Sequence, residues 1–244
     1  MSLRIEIFIF FALTLIAEIL GTLGGFGSSL FFVPLSQFFF DFRTVLALTG
    51  LLHVFSNTAK IILFRKTIDW KLTVWLGGSS IVFVIVGALL TRYMALDYVS
   101  MILGMFLLAF SALLFFNPDF SISATVKNSL TSGAVAGFLA GFIGTGGAIR
   151  GLALASFNLE KNFFVGTSAL IDFGVDLSRT IIYLESDYFP KDKILYIPVL
   201  MIAASLGSYL GKLILNSIDQ EKFKRITLML IFLTGLTLVL QRLV

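Results

Sequence analysis

Two sets of polar side chains recur at one spacing within otherwise apolar sequence. His53, Asn57 and Lys60 stand at i, i+4 and i+7, and Asp172, Asp176 and Arg179 repeat that spacing. In a helix each set lies on one face, and Thr49 and Ser168 extend the two stripes by a further turn. Ionisable groups in apolar surroundings are costly and normally face a cavity or one another. Two readings stay open. One is internal ion pairing, such as Asp176 with Lys60. The other is a polar path in which Asp172 or Asp176 takes up a proton or sodium ion. Lys60 and Arg179 fall near the ends of their apolar runs, so snorkelling also accounts for them. Glu18 is a third isolated charge, read either as a coupling group or as the partner of Arg150 or another internal cation. His53 reads as a hydrogen-bonded core residue more readily than as a proton relay.

The second kind of chemistry resides in glycine. Gly21, Gly24, Gly25 and Gly27 interrupt one apolar stretch, 5–40; Gly141, Gly144, Gly146, Gly147 and Gly151 interrupt another, 129–159. Glycine is poor inside helices and permits backbone shapes that other residues resist, so each stretch is expected to be two helical arms joined by a break. Broken backbone at membrane depth must find polar partners within protein or water. In transporters such breaks form substrate sites, with half-helix N-termini aimed at anions. The expected anion site therefore combines Gly24, Gly25, Gly27 and Ser28 with Gly144, Thr145, Gly146, Gly147 and Arg150, whose guanidinium suits an oxyanion. His53, Asn57, Asp172 and Asp176 complete it, with Glu18, Asp172 and Asp176 as coupling candidates. The competing reading is that the glycines only permit close helix packing, which accounts well for Gly21 and Gly141.

The elements that must hold these residues follow from composition. Of 244 residues 58% are hydrophobic and 13% charged, about half the roughly 25% of a soluble domain, and the mean hydropathy is +1.00. An all-α polytopic membrane protein is expected. Crossing the hydrocarbon core takes about 20 apolar residues, and single spans are expected at 45–64, 72–91, 98–117, 163–184, 194–216 and 225–242. The N-terminal apolar run reads as an uncleaved first membrane segment, since Glu18 interrupts it and no cleavage site follows cleanly. Having no cysteine excludes thiolate sites, and one histidine leaves little room for histidine-based zinc sites or a haem pair. No nucleophile elbow, phosphate-binding loop or metalloprotease pair occurs. A Ser28 or Ser29 dyad with His53 lacks the glycine context and a counterpart later in the chain. The chain is therefore read as a non-enzyme without cofactor. Its net charge of +4 is spread over short loops, as topology signals rather than a nucleic-acid surface, and Trp70 and Trp75 suit an interfacial anchor.

The two long stretches also match each other. A shift of 120 sets Gly21, Gly24, Gly27 and Ser36 on Gly141, Gly144, Gly147 and Ser156, and later Gly87 and Leu90 on Gly207 and Leu210; between these, a shift of 119 superposes the polar triplets. Two repeats are expected, 1–120 and 121–244, each a glycine-broken hairpin plus three membrane helices. If the hairpins return to their starting side the repeats are inverted, and Lys and Arg divide nine to six across the membrane; if each long stretch crosses once, eight to seven. The positive-inside rule leans to the hairpins, with both termini outside the cytoplasm.

The segment Gly21 to Pro34 with its Val33-Pro34-Leu35 continuation, Gly137 to Gly151, the Gly-Thr-Ser at 166–168 and the two-repeat layout together resemble the TauE/SafE family. That resemblance covers essentially the whole chain. It implies a secondary transporter of the bacterial cytoplasmic membrane that exports small sulfur-containing anions such as sulfite, sulfoacetate or other organosulfonates. Its site would lie at the two glycine breaks and the polar triplets, with Arg150 departing from the small or apolar residue that relatives carry there. Import of the same anions, a passive anion channel and a cargo-free assembly factor are the alternative functions.

Overall fold

The computed structural model describes residues 3–90, 97–117, 119–143, 146–185 and 187–243, and its regular elements there are all helices. In chain order they are α1 (Leu3–Gly24), α2 (Ser29–Ser36), α3 (Phe42–Leu63), a short α4 (Trp70–Leu72) that runs through a π-helical turn (Thr73–Gly77) into α5 (Gly78–Leu90), α6 (Asp97–Phe116), α7 (Val126–Ile143), α8 (Gly146–Ser156), α9 (Lys161–Glu185), a 3-10 turn (Lys191–Lys193), α10 (Tyr196–Ser217) and α11 (Gln220–Leu243). Five stretches among the described residues are long and apolar enough to cross a membrane: Arg4–Gly24, Arg43–Leu63, Trp70–Gly87, Tyr196–Ser217 and Gln220–Leu240.

The spans expected at 98–117 and 163–184 correspond to α6 (Asp97–Phe116) and α9 (Lys161–Glu185). At 25 residues α9 is amply long, but Asp172, Asp176 and Arg179 lower its hydropathy. It is a central helix rather than a lipid-facing one, with Phe164 to Ala169, Ile171, Asp172, Val175, Asp176 and Thr180 all buried.

Both long stretches turn back on themselves. After the break at Gly25 to Gly27 the chain retraces α1, so that Phe32, Phe39 and Phe40 all stack edge-on against Phe10, with ring centroids 5.8, 5.7 and 5.4 Å apart. Pro34 withholds an N–H inside α2, and the helix stops two residues later. The second hairpin closes at its open end, where the Ile122 N–H donates to the Ser156 carbonyl at 2.7 Å.

Helix ends are tied by side chains. Asp41 caps α3, accepting from the Arg43 and Thr44 N–H groups at 3.0 and 3.2 Å, and Asp69 caps α4 through the Leu72 N–H. At C-termini, where carbonyls lack partners, Lys212 donates to Leu63 O at 2.7 Å, and Lys161 donates to Leu215 O and Ile218 O.

α1 packs on α10, α5 on α7, α6 on α11, and α3 lies centrally against α9 and α10. α3 and α9 run antiparallel: Gly50 lies beside Thr180, and Phe64 and Thr67 lie beside Gly166. Polarity is distributed inside out. Phe8, Phe38, Ile62, Trp70 and Phe116 are exposed, whereas Glu18, Lys60, Arg150, Asp172 and Asp176 are buried. An apolar exterior around a charged interior suits lipid as the solvent.

Candidate functional site

The two hairpin tips meet at the centre of the packing. In the first, Gly25 and Gly27 adopt φ of +77° and +105°, a backbone region that side chains resist, and the Phe26 carbonyl is turned toward the second hairpin. There Gly147, in the first turn of α8, approaches so closely that a Cβ on it would sit 2.6 Å from Phe26 O. Gly21 likewise lets α1 pass against the start of α2 at Ser28, the packing role expected of it. Gly146 opens α8; Gly144 and Thr145, expected at this break, lie outside the described residues.

Arg150, one turn into α8, is 1% exposed. Its Nη2 pairs with Asp172 Oδ1 of α9, and Ser168 steadies the other carboxylate oxygen at 3.0 Å. Among the described residues, Arg150 Nε and Nη1 are buried without a hydrogen-bond partner. Unsatisfied donors of this kind are rare in folded proteins and call for an explanation.

Asp176 forms the next layer. Its Oδ1 accepts from Arg179 Nη2 at 2.6 Å, and its Oδ2 accepts from Asn57 Nδ2 of α3 at 3.0 Å. The same Oδ2 lies 3.3 Å from His53 Nδ1, which is itself 3.1 Å from Arg179 Nη2. On the far side of the ring, a Cβ on Gly27 would meet His53 Cε1 at 3.4 Å and Nε2 at 3.8 Å. That Nε2 is buried and unpartnered, as is Arg179 Nε. Asp172 and Asp176 lie one turn apart on α9, so Arg150, Asp172, Asp176, Asn57 and His53, with half-buried Arg179, form one polar layer beside the two tips.

Glu18 and Lys60 form a second cluster. The expected pairing of Lys60 with Asp176 does not occur. Lys60 Nζ binds Glu18 Oε1 at 2.6 Å and Ser56 Oγ at 3.2 Å, because it lies on the α10 side of α3, where Ser208 of α10 contacts both Ser56 O and Glu18. Of the partners considered for Glu18, the internal cation is Lys60 and not Arg150. Nor does Lys60 snorkel, being 3% exposed. Glu18, fully buried, also accepts from Ser28 Oγ at 2.7 Å, the residue that starts α2, and more loosely from Thr22 and Ser208. Thr49, counted with the α3 stripe, bonds back to Val45 O of its own helix. Spacing on α3 and α1 gives a sign of Ser56 and Thr22, each four residues from a charge they serve; Ser208, from α10, has no such signal.

Among the described residues, each of the three buried carboxylates is thus matched by a cation: Glu18 by buried Lys60, Asp172 by buried Arg150 and Asp176 by half-buried Arg179. The interior is charge-balanced with a neutral His53, yet it retains unpartnered donors on two arginines.

No curated protein and no solved structure matches the chain. The family described as "Sulfite exporter TauE/SafE" matches residues 10–238, a span that contains both hairpin tips, both polar triplets and every residue of the two ion-paired clusters. The chain belongs to the TauE/SafE sulfite exporter family, and with its apolar helices it is a multi-pass membrane protein of transporter type.

Proposed function

We propose that the chain is a secondary transporter that exports a small sulfur-containing anion, such as sulfite, sulfoacetate or a related organosulfonate, across the bacterial inner membrane by alternating access. The single observation that carries this reading is Arg150. A guanidinium sealed in the interior, with two nitrogens lacking partners, is costly unless an anion completes its hydrogen bonding part of the time. The amide groups of the α8 start and of the Phe26–Gly27 bend supply neutral donors of the kind an oxyanion requires. On this reading the guest sits where the two tips meet, bound by Gly24, Gly25, Gly27, Ser28, Gly144, Thr145, Gly146, Gly147 and Arg150, with His53, Asn57, Asp172 and Asp176 around it. Coupling to a proton or sodium ion follows from the balanced interior, since an unaccompanied anion would leave a net charge in a low-dielectric site.

The inverted two-repeat layout, 1–120 and 121–244, belongs to the same reading. It is supported by two hairpins that each return toward their start and by the antiparallel run of α3 and α9. Alternating access then moves one repeat against the other about the tips.

Titration of the purified protein with sulfite, sulfoacetate, thiosulfate and taurine, read by thermal shift, tests the cargo. We expect sulfite or a sulfonate to raise the melting temperature of the native protein and to leave Arg150→Gln unmoved. An absence of any shift in the native protein would refute the anion site.

A further inference from the structure

We infer that His53 is the group that takes up a proton as the anion enters, becoming an imidazolium whose Nδ1–H binds Asp176 and whose Nε2–H faces the guest at the Phe26–Gly27 bend. The inference rests on the preceding reading in one respect, that a small anion reaches the hairpin tips.

The sequence suggested carboxylates for this task, but each of the three is already committed to a cation at close range. Protonating any of them would strand a buried Lys or Arg, a change that costs several kcal/mol. His53 is placed differently. Its Nδ1 lies between Arg179 Nη2 at 3.1 Å and Asp176 Oδ2 at 3.3 Å. The guanidinium can only donate, so it requires a lone pair on Nδ1; the carboxylate can only accept, so it requires a proton there. One protonation state cannot satisfy both, and the ring is held at a branch point between two hydrogen-bonding patterns.

In the neutral state Arg179 donates to Nδ1, and the ring proton sits on Nε2, which has no partner. A proton arriving from water adds to the Nδ1 lone pair. The new N–H turns to Asp176 Oδ2, while Arg179 keeps its bond to Asp176 Oδ1. Both ring nitrogens are then donors, and the positive charge gained offsets the charge of one anion. Histidine is the side chain whose charge changes most readily near neutral pH. Gly27 leaves open the space in front of Nε2, since its φ of +105° disfavours any side chain.

The charged groups around the ring are consistent with this assignment. From α9 they are Asp176 and Arg179, with Tyr183 bonded to Arg179 and Asp172 held by Arg150 one turn away. From α1, Glu18 is neutralised by Lys60 two turns further along α3. α2 contributes no titratable side chain, and on α10 Lys212 is engaged with Leu63 O and Tyr196 with Glu6.

His53 is the only histidine in the chain, so protein labelled with 15N in histidine gives ring signals from this residue alone. The probe is sulfoacetate at pH 7, whose acidic groups are already ionised, so that any proton gained comes from water. We expect a neutral ring in the free protein and an imidazolium at saturation. Binding detected by thermal shift while the ring stays neutral, or a ring already charged in the free protein, would overturn the assignment. An absence of binding by sulfite and sulfonates alike would instead remove the transport reading, and this assignment with it. A second arm uses His53→Gln, checked for a monodisperse elution profile. Its affinity for sulfoacetate should fall about tenfold and lose its dependence on pH between 6 and 8. Unchanged affinity with an unchanged pH profile would also overturn the assignment.

Discussion

The carbonyl oxygen of Phe26 and the α-carbon of Gly147 meet so closely that there is no room for a methyl group between the two hairpin tips. This contact fixes the distance across which a guest would be held. Gly147→Ala must push the tips apart or displace Phe26, an overpacking cost of about 1–3 kcal/mol. We expect its melting temperature in detergent to fall by several degrees and anion binding to be lost. A variant that melts and binds as the native protein does would show that the contact yields easily.

Glu18 and Lys60 are a buried pair joining α1 to α3, with Ser28 adding the start of α2. Removing one charge leaves the other uncompensated, at a cost of about 3–5 kcal/mol. Lys60→Met and Glu18→Gln should each destabilise the protein strongly, and the double variant should recover much of the loss. Thermal melts of the three proteins in one detergent check the cycle; simple additivity would argue against a direct pair.

Asp172 occupies one nitrogen of Arg150 and competes with any anion for the guanidinium. Asp172→Asn preserves the shape and a contact for Ser168 while removing that competitor. We expect a less stable free protein and anion affinity raised about tenfold, equivalent to about 1.4 kcal/mol. Parallel thermal-shift titrations of native and variant protein measure both effects.

Outside the membrane segments, Asp41 and Asp219 are held below the ordinary carboxylate value of 3.8. For Asp41 the chief cause is the Thr44 hydroxyl and N–H; for Asp219 it is the Lys222 N–H. A carboxyl lowered in the folded state stabilises fully above its unfolded value and loses that contribution as pH falls through the folded one. Melts of the native protein and Asp41→Ala should therefore differ by a constant amount above about pH 5 and draw together as the pH falls through the lowered folded-state value of Asp41.

Much of this site was legible in the sequence, for physical reasons. Glycine clusters and charges inside apolar runs are costly unless they do something, so Gly25 to Gly27, Arg150, Asp172 and Asp176 drew notice before any contact was known. The partners were not legible. Spacing places Lys60 on a face of α3 but does not say which helix lies opposite, and the pairing expected from the internal repeat fails. At a shift of 120, Phe138 stands where Glu18 does and Leu30 where Arg150 does, so the internal match of glycines does not extend to the ion pairs. The helix expected at 163–184 is present as α9 although it carries Asp172, Asp176 and Arg179, because a helix surrounded by protein can carry charges that a lipid-facing helix cannot. His53 is buried and hydrogen-bonded, as its type suggests, but the contrary demands of Asp176 and Arg179 on its Nδ1 arise only from the packing of α3 on α9.

Counterflow of radiolabelled sulfite into proteoliposomes preloaded with unlabelled sulfite tests the central claim most directly, because it requires both a binding site and alternating exposure of that site. We expect transient accumulation of label in vesicles carrying the native protein, and none above protein-free vesicles for Arg150→Gln. Equal accumulation with native and Arg150→Gln protein, or none with either, would contradict an anion path through the hairpin tips.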